Sequence, residues 1–565
     1  MKLLIDGFPV QAKPGQSLLD LIQIYGLDSA DFEQRPIAAK LAGEIFNLNY
    51  IPVRDDAEAD SDAQRRAVKA SKGVVKLVRY CDPVGLDVYA RTAQFVLFLA
   101  LHQLWPTARA KMDCTVGKAL YVEVLHAPDF SVEALKQRVG CLIKQGIPLC
   151  RERNTTADAA TYFMHTGQYD KAKLLSWRKA EYFDLYKYED FADYYYGELA
   201  PSTGYLQVWD IIPVEGGFMF LYPDDLQPDQ AARYEEMPNF LSVCKEGERW
   251  CELMECETVA DLNELVQSGQ IRELIRVNEA LHEKRYSQVA DMVCNRGVRA
   301  VMLAGPSSSG KTTSANRLCT QLRVHGKKPV LLSLDDYYID RDQILPGPDG
   351  KLDLEHIDTI DTALFSAHIK QLLQGQTVEL PAFNFRSGKR EWNGRQLHME
   401  DQSVIIVEGL HALNPVLLPE DLDSNLVFKL YVSPLLPLNL DDHNRIPTSI
   451  LRLLRRTVRD YENRGASVQQ TMSMWDSVRR GEKRWIFPYQ EEADVIFNSS
   501  TLYELAVLKK HIYPLLLAIQ PEDSCYDQVR GLVKILNYVQ EADVDDEIPP
   551  TSLVREFIGG NSYYR

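Results

Sequence analysis

The stretch Gly305-Pro-Ser-Ser-Ser-Gly310-Lys311-Thr312 constrains what this chain can fold into more than any other. It fits G-x-x-x-x-G-K-[ST], follows the apolar run 300–304 and precedes a helical pattern starting near Lys311. That strand–loop–helix setting is the one the motif requires. The glycines let successive backbone N–H groups converge on phosphate oxygens, and the helix N-terminus adds partial positive charge. Phosphate contact is therefore expected at Gly305, Ser307, Ser308, Ser309, Gly310, Lys311, Thr312 and Thr313. Lys311 is placed for the terminal phosphates and Thr312 for a Mg²⁺.

The surrounding texture agrees with an open α/β sheet. Short apolar runs, VMLAG, VLLSL, VIIVEG and FKLYVS, alternate with helical segments over 298–520. This is the pattern of a parallel sheet covered by helices on both faces. Asp335 and Asp336 follow one such run and Glu408 ends another. Ligands of these sheets bind at the carboxyl ends of strands, so all three carboxylates are expected beside the phosphate loop. Glu408 suits the Mg²⁺ shell, and Asp335 or Asp336 suits acceptance of a proton from an attacking hydroxyl. Segment 451–484 carries nine Lys and Arg against four Asp and Glu. A run that basic, in the domain with the phosphate loop, is expected to supply arginines to a phosphoryl transition state.

Charge and composition narrow the classes further. The chain has 565 residues, 63 basic against 80 acidic, a formal charge of −17. Broad binding to polyanions or anionic membranes is disfavoured by that balance. The apolar stretch from Phe95 to Leu101 is broken by His102 and falls short of the ~20 residues a membrane span needs. The N-terminus has Asp6 and no apolar signal core, so a cytoplasmic location is expected. The ten cysteines form no CxxC pair, which fits reduced structural thiols.

The preceding half has a different organisation. Residues 1–55 read as strand, turn, strand and a helix capped by Ser17, a small β-grasp module. The acidic run 55–62 reads as a linker. Residues 63–225 mix strands with an apolar helix at 93–104 and read as an α+β domain; 226–297 read as a helical connector. The tail 521–565 is expected to expose its acidic part and to dock Phe557 and the closing tyrosines.

With those residues in view, the C-terminal half resembles the uridine kinase branch of the phosphoribulokinase/uridine kinase family. The resemblance rests on the phosphate loop, SLDDYY (333–338), LEHIDTID (354–361), LPAFNFRSGKRE (380–391), IIVEGLHAL (405–413) and LLRRTVRDYENRG (453–465). It implies a P-loop NTPase fold, ATP and Mg²⁺ as cofactors, and a nucleoside as acceptor. It puts the base on Asp335, the Mg²⁺-supporting carboxylate on Glu408, lid arginines on Arg459 and Arg464, and a ribose-side arginine on Arg456. Tyr338, Glu355, Phe383 and Phe385 fall on the acceptor side. The chain departs from the family pattern at Glu355, where an Asp is usual, and at Phe383, Gly388 and Ala466, where Tyr, His and Arg are usual. An altered base specificity is the expectation, with a larger, more apolar pocket.

The N-terminal half resembles the TGS and editing-type domains of threonyl-tRNA synthetase, most closely at ARTAQFVLFLALHQLWP (90–106). The four polar positions of that family's editing site are Arg91, Phe95, Tyr195 and Leu199 here, so hydrolytic editing is not implied. Contact with RNA and self-association stay open for this half. The function expected is an ATP-dependent kinase of a nucleoside 5′-hydroxyl. The alternatives are a kinase of a non-nucleoside metabolite and an RNA- or ribosome-associated P-loop NTPase, which would not need the acceptor-side residues.

Overall fold

The computed structural model describes residues 1–53, 68–69, 71–224, 227–344 and 353–563, so the expected linker 55–62 lies outside the described residues. The first sheet is built from β1 (Lys2–Ile5), β2 (Phe8–Gln11), β3 (Pro36–Leu41), β4 (Glu44–Phe46) and β5 (Val74–Arg79). Its order is β2-β1-β5-β3-β4, with β1 and β5 parallel. The helix Leu18–Ile24 opens with a capping box between Ser17 and Asp20 and packs Leu18, Leu21 and Ile22 on the sheet. The sequence suggested that this unit ends at residue 55. Its middle strand instead comes from 74–79, because without it β1 and β3 would have no backbone partner on their facing edges.

Two further sheets follow. One has the order β11-β12-β7-β6, from β6 (Arg109–Val116), β7 (Ala119–Leu125), β11 (Asp210–Val214) and β12 (Gly217–Leu221). The other joins β8 (Arg151–Thr155), β9 (Tyr182–Tyr188) and β10 (Phe191–Asp193). The apolar helix runs over Pro83–Leu104 rather than 93–104, since Pro83 fits a first helical turn. At 22 residues it is long and apolar enough to cross a membrane, contrary to the expectation from 95–101. In the fold it serves as a core helix, with Val96, Leu99 and Ala100 fully buried.

The C-terminal sheet places the site. It is five-stranded and parallel throughout, in the order β14-β17-β13-β18-β19. Its strands are β13 (Ala300–Ala304), β14 (Lys328–Ser333), β17 (Ser403–Glu408), β18 (Val427–Ser433) and β19 (Val495–Asn498), while β15 (Val378–Asn384) and β16 (Lys389–Leu397) form a separate hairpin. Every side chain of β13 is buried, as befits the middle strand. Helix Ile271–Asn295 is not a free connector; Tyr286, Val289 and Val293 pack with Leu318 and Leu322 of the helix Lys311–Val324. The tail forms the helix Tyr526–Leu536 and then returns, burying Leu553 and Phe557 completely.

Candidate active site

The phosphate loop leaves the carboxyl end of the central strand. A Cβ on Gly305 would fall 2.1 Å from the Val432 carbonyl oxygen, so only glycine fits there. Gly310 has φ +86° and serves as the cap of the helix Lys311–Val324. Ser308 has φ +59° without being glycine, a strained conformation that needs support from its surroundings. The support is Arg455, which donates to the Ser308 carbonyl (3.4 Å) and is locked by Glu504 at 2.7 and 3.0 Å. Beside it, Glu482 accepts the Ser307 N–H at 2.9 Å and pairs with Arg452, both side chains being wholly buried.

The neighbouring strand ends converge as the topology requires. Ser333 and Glu408 are register partners, and the Glu408 carboxylate lies 3.5 Å from both the Thr312 and Ser333 hydroxyls. Burial and the nearby Asp335 push the Glu408 carboxyl up to about 7. Lys311 donates to the Pro306 carbonyl at 3.1 Å, and burial lowers its ammonium against the pull of Glu408 and Asp335. Asp335 and Asp336 have different partners. Burial raises the Asp335 carboxyl while Lys311 and Arg464 oppose the shift. Asp336 is turned to the Phe383 backbone, with Arg395 at 3.7 Å.

The acceptor side is aromatic and acidic. Tyr338, Phe383 and Phe385 form a cluster with ring centroids 5.1 to 6.2 Å apart. Glu355 has one carboxylate oxygen buried without a hydrogen-bond partner among the described residues. Burial and the adjacent Glu482 push its carboxyl up to about 7, opposed by Arg456. Arg456 reaches further than a ribose-side role requires: it donates to the Ser307 hydroxyl at 2.9 Å. The expected lid arginines Arg459 and Arg464 gather with Arg456 around one carboxylate. Arg456, Arg459 and Arg464 stand 3.3, 2.8 and 3.6 Å from the carboxylate of Asp460.

Some sequence expectations need correction. Gly388 does not open the pocket; it is the φ +68° residue of the β15–β16 turn, and a Cβ there would meet Arg341 at 3.0 Å. The Thr313 N–H and hydroxyl, expected to meet phosphate, are both bonded to Glu556 here, at 3.2 and 2.6 Å. Glu482, Asp460 and Glu556 were not singled out from the sequence. Asp460 and Glu482 sit inside a charge run in which nine basic residues outnumber four acidic ones, and nothing in the tail marks Glu556. In the N-terminal half, Arg91 donates to the Glu198 carbonyl at 3.2 Å, while Phe95 packs edge-on to Tyr195 and Leu199 is fully buried.

Comparison with known proteins agrees with this geometry. Residues 300–506 match the Phosphoribulokinase / Uridine kinase family. A uridine kinase of Lactobacillus helveticus is 30% identical over 206 residues, covering 36% of this chain and 88% of that protein. A uridine kinase of Aliivibrio salmonicida is 30% identical over 223 residues, covering 39% of this chain and 95% of that protein. A solved Bacillus stearothermophilus structure described as a possible uridine kinase covers 37% of this chain and 96% of its own at 19% identity. Its TM-score is 0.25. The loop, the converging carboxylates and the relatives together place this chain in the phosphoribulokinase/uridine kinase family, as a phosphotransferase acting on a hydroxyl acceptor.

Proposed function

We propose that the chain transfers the γ-phosphoryl group of ATP to the 5′-hydroxyl of a ribonucleoside, with a base preference shifted away from uracil. The observation that carries it is the division between Asp335 and Asp336: Asp335 shares its surroundings with Lys311 and Arg464, and Asp336 does not. A hydroxyl beside Asp335 lies on the phosphate-loop side of the sheet, where it can lose its proton to the carboxylate as it attacks. Lys311 and the arginines released from Asp460 then stabilise charge on the transferring group. The Thr312 hydroxyl and the Glu408 carboxylate suit a hard divalent cation that keeps several waters; when bound, Mg²⁺ would neutralise charge between the terminal phosphates. Glu355, with an unsatisfied oxygen, is placed to grip a vicinal diol.

Base preference follows from the aromatic cluster. Phe383 brings no hydroxyl to the pyrimidine edge, so a base is held mainly by stacking against Phe383 and Phe385. A purine nucleoside offers the larger face. The test is kcat/KM with Mg·ATP for uridine, cytidine, adenosine, guanosine, inosine and their 2′-deoxy forms. Purine ribonucleosides should lead and 2′-deoxy forms should lag. A clear preference for uridine or cytidine refutes the specificity, and activity on no nucleoside, with ATP bound, points to a non-nucleoside alcohol. The N-terminal half, with its TGS- and editing-like pattern and with Arg91, Phe95, Tyr195 and Leu199 at the positions of that family's editing site, is proposed to act by contact with the kinase half rather than by chemistry.

A further inference from the structure

The C-terminal segment reaches the phosphate loop from outside the matched family region, which ends at residue 506. The first N–H groups of a helix have no acceptor of their own. An N-cap side chain usually takes the donor at the third position, but here the cap is Gly310, which has none. The Thr313 N–H is therefore open to any anion that reaches it, and in this loop the expected anion is a nucleotide phosphate. Glu556 occupies that position. Its carboxylate takes both the Thr313 N–H, at 3.2 Å, and the Thr313 hydroxyl, at 2.6 Å. Asn561 donates to the same hydroxyl at 3.2 Å, which directs the hydroxyl proton toward Glu556.

Glu556 is held there by its neighbours. Leu553 sits against Gly310, so closely that a Cβ on Gly310 would fall 2.6 Å from it. Phe557 is fully buried with the Arg455 guanidinium 4.8 Å from its ring centroid. The carboxylate and Asn561 are in turn contacts that tie the segment to Thr313, so displacing the carboxylate loosens the segment. We propose that Glu556 is a donor-site residue that competes with nucleotide phosphate for Thr313 and thereby sets the affinity for ATP. This rests on the loop being the donor site. Two anions cannot share one N–H and hydroxyl, so ATP must displace the carboxylate or forgo the contact.

The experiment is calorimetric titration of Mg·ATP into the full chain and into Glu556→Gln, in the absence of acceptor, with the Tm of each recorded. Removing the charge while keeping the shape should tighten ATP binding by about tenfold, the scale of a moderate coupling between two ligands. Equal or weaker binding by the variant overturns the competition and leaves the donor site standing; that is the outcome a purely structural cap gives. No binding by either folded protein overturns the donor site and the proposal together. Should Glu556→Gln fail to fold, hydrogen exchange on the wild-type chain decides. Peptides covering 549–562 should exchange faster with ATP than without, and unchanged or slower exchange overturns the proposal.

Discussion

Replacing Glu482 with alanine removes one carboxylate that answers two donors, one fully buried and one partly so. Arg452 is 1% exposed and its guanidinium loses its ion-pair partner; the Ser307 N–H loses its acceptor in the same step. Stranding one member of a buried pair costs about 3–5 kcal/mol, and an unsatisfied buried N–H adds about 1–3 kcal/mol where water cannot reach it. The two are not independent. The Trp475 ring, 5.3 Å from the guanidinium, also keeps part of the interaction. A loss of about 3–5 kcal/mol is therefore expected in urea unfolding of the phosphate-loop domain. The double variant Arg452→Met/Glu482→Leu should recover most of that loss, because no charge is left buried. Glu482→Gln adds a second readout: without the repulsion from Glu482, the Glu355 carboxyl should titrate below its value of about 7. A single variant as stable as wild type, or no more damaged than the double, refutes the pair's role behind the loop.

Lys311→Ala should lower kcat by at least ~10²-fold with the fold retained, since charge on the transferring group loses its main neutraliser; near-normal turnover would take the loop out of the mechanism. Asp335→Asn should bind ATP yet transfer poorly, and Asp336→Asn should matter less because it faces the hairpin; a rate assay giving the reverse order moves the base to Asp336. Glu408, raised from 4.5 to about 7, holds a proton in the folded chain that the unfolded chain has already lost. Its contribution to stability is thus greatest below pH 4.5 and falls as pH rises through about 7. A cation needs the carboxylate form, so activity at limiting Mg²⁺ should climb from about pH 6 to 8 and lose that slope in Glu408→Gln; an unchanged slope removes Glu408 from the metal site.

How far the sequence revealed the site depended on whether a role lay in a local pattern. The placement of the phosphate loop, Asp335 and Glu408 was legible because each follows directly from a strand end, and the sheet's parallel topology fixes where strand ends go. Glu482 was not. It lies in V-R-R-G-E-K-R, where a helix face and solvent explain a carboxylate as well as burial does, and only packing distinguishes them. Gly388 failed for the opposite reason: comparison by position suggested an emptied pocket, while its φ of +68° shows a turn requirement that sequence alone does not display. Of the first sheet, β1, β2 and the helix were legible, while β3, β4 and the closure by β5 were not. β5 is separated from β4 by residues 47–73 and could be assigned to either neighbour until backbone pairing was known.

The chemistry occupies little more than a third of the chain, and the contacts that the remainder makes with it indicate what that remainder contributes. Segment 434–447 joins β18 to the helix Thr448–Arg464, which carries Arg452, Arg455, Arg456, Arg459 and Arg464. The N-terminal half holds that segment at several points. Arg109 binds Asp442 through two bonds of 2.7 and 2.9 Å, the Met112 N–H donates to the Asp442 carbonyl at 2.8 Å, and Asn439 returns a bond to the Met112 carbonyl at 2.8 Å. Deeper in, Lys171, Asp193 and His443 form a triangle with 2.6 Å sides, and the His443 ring stacks on Phe98 at 3.6 Å. A helix of 17 residues is a rod of about 25 Å. Fixing where such a rod begins constrains where its arginines stand, and the N-terminal half holds the chain that leads into it.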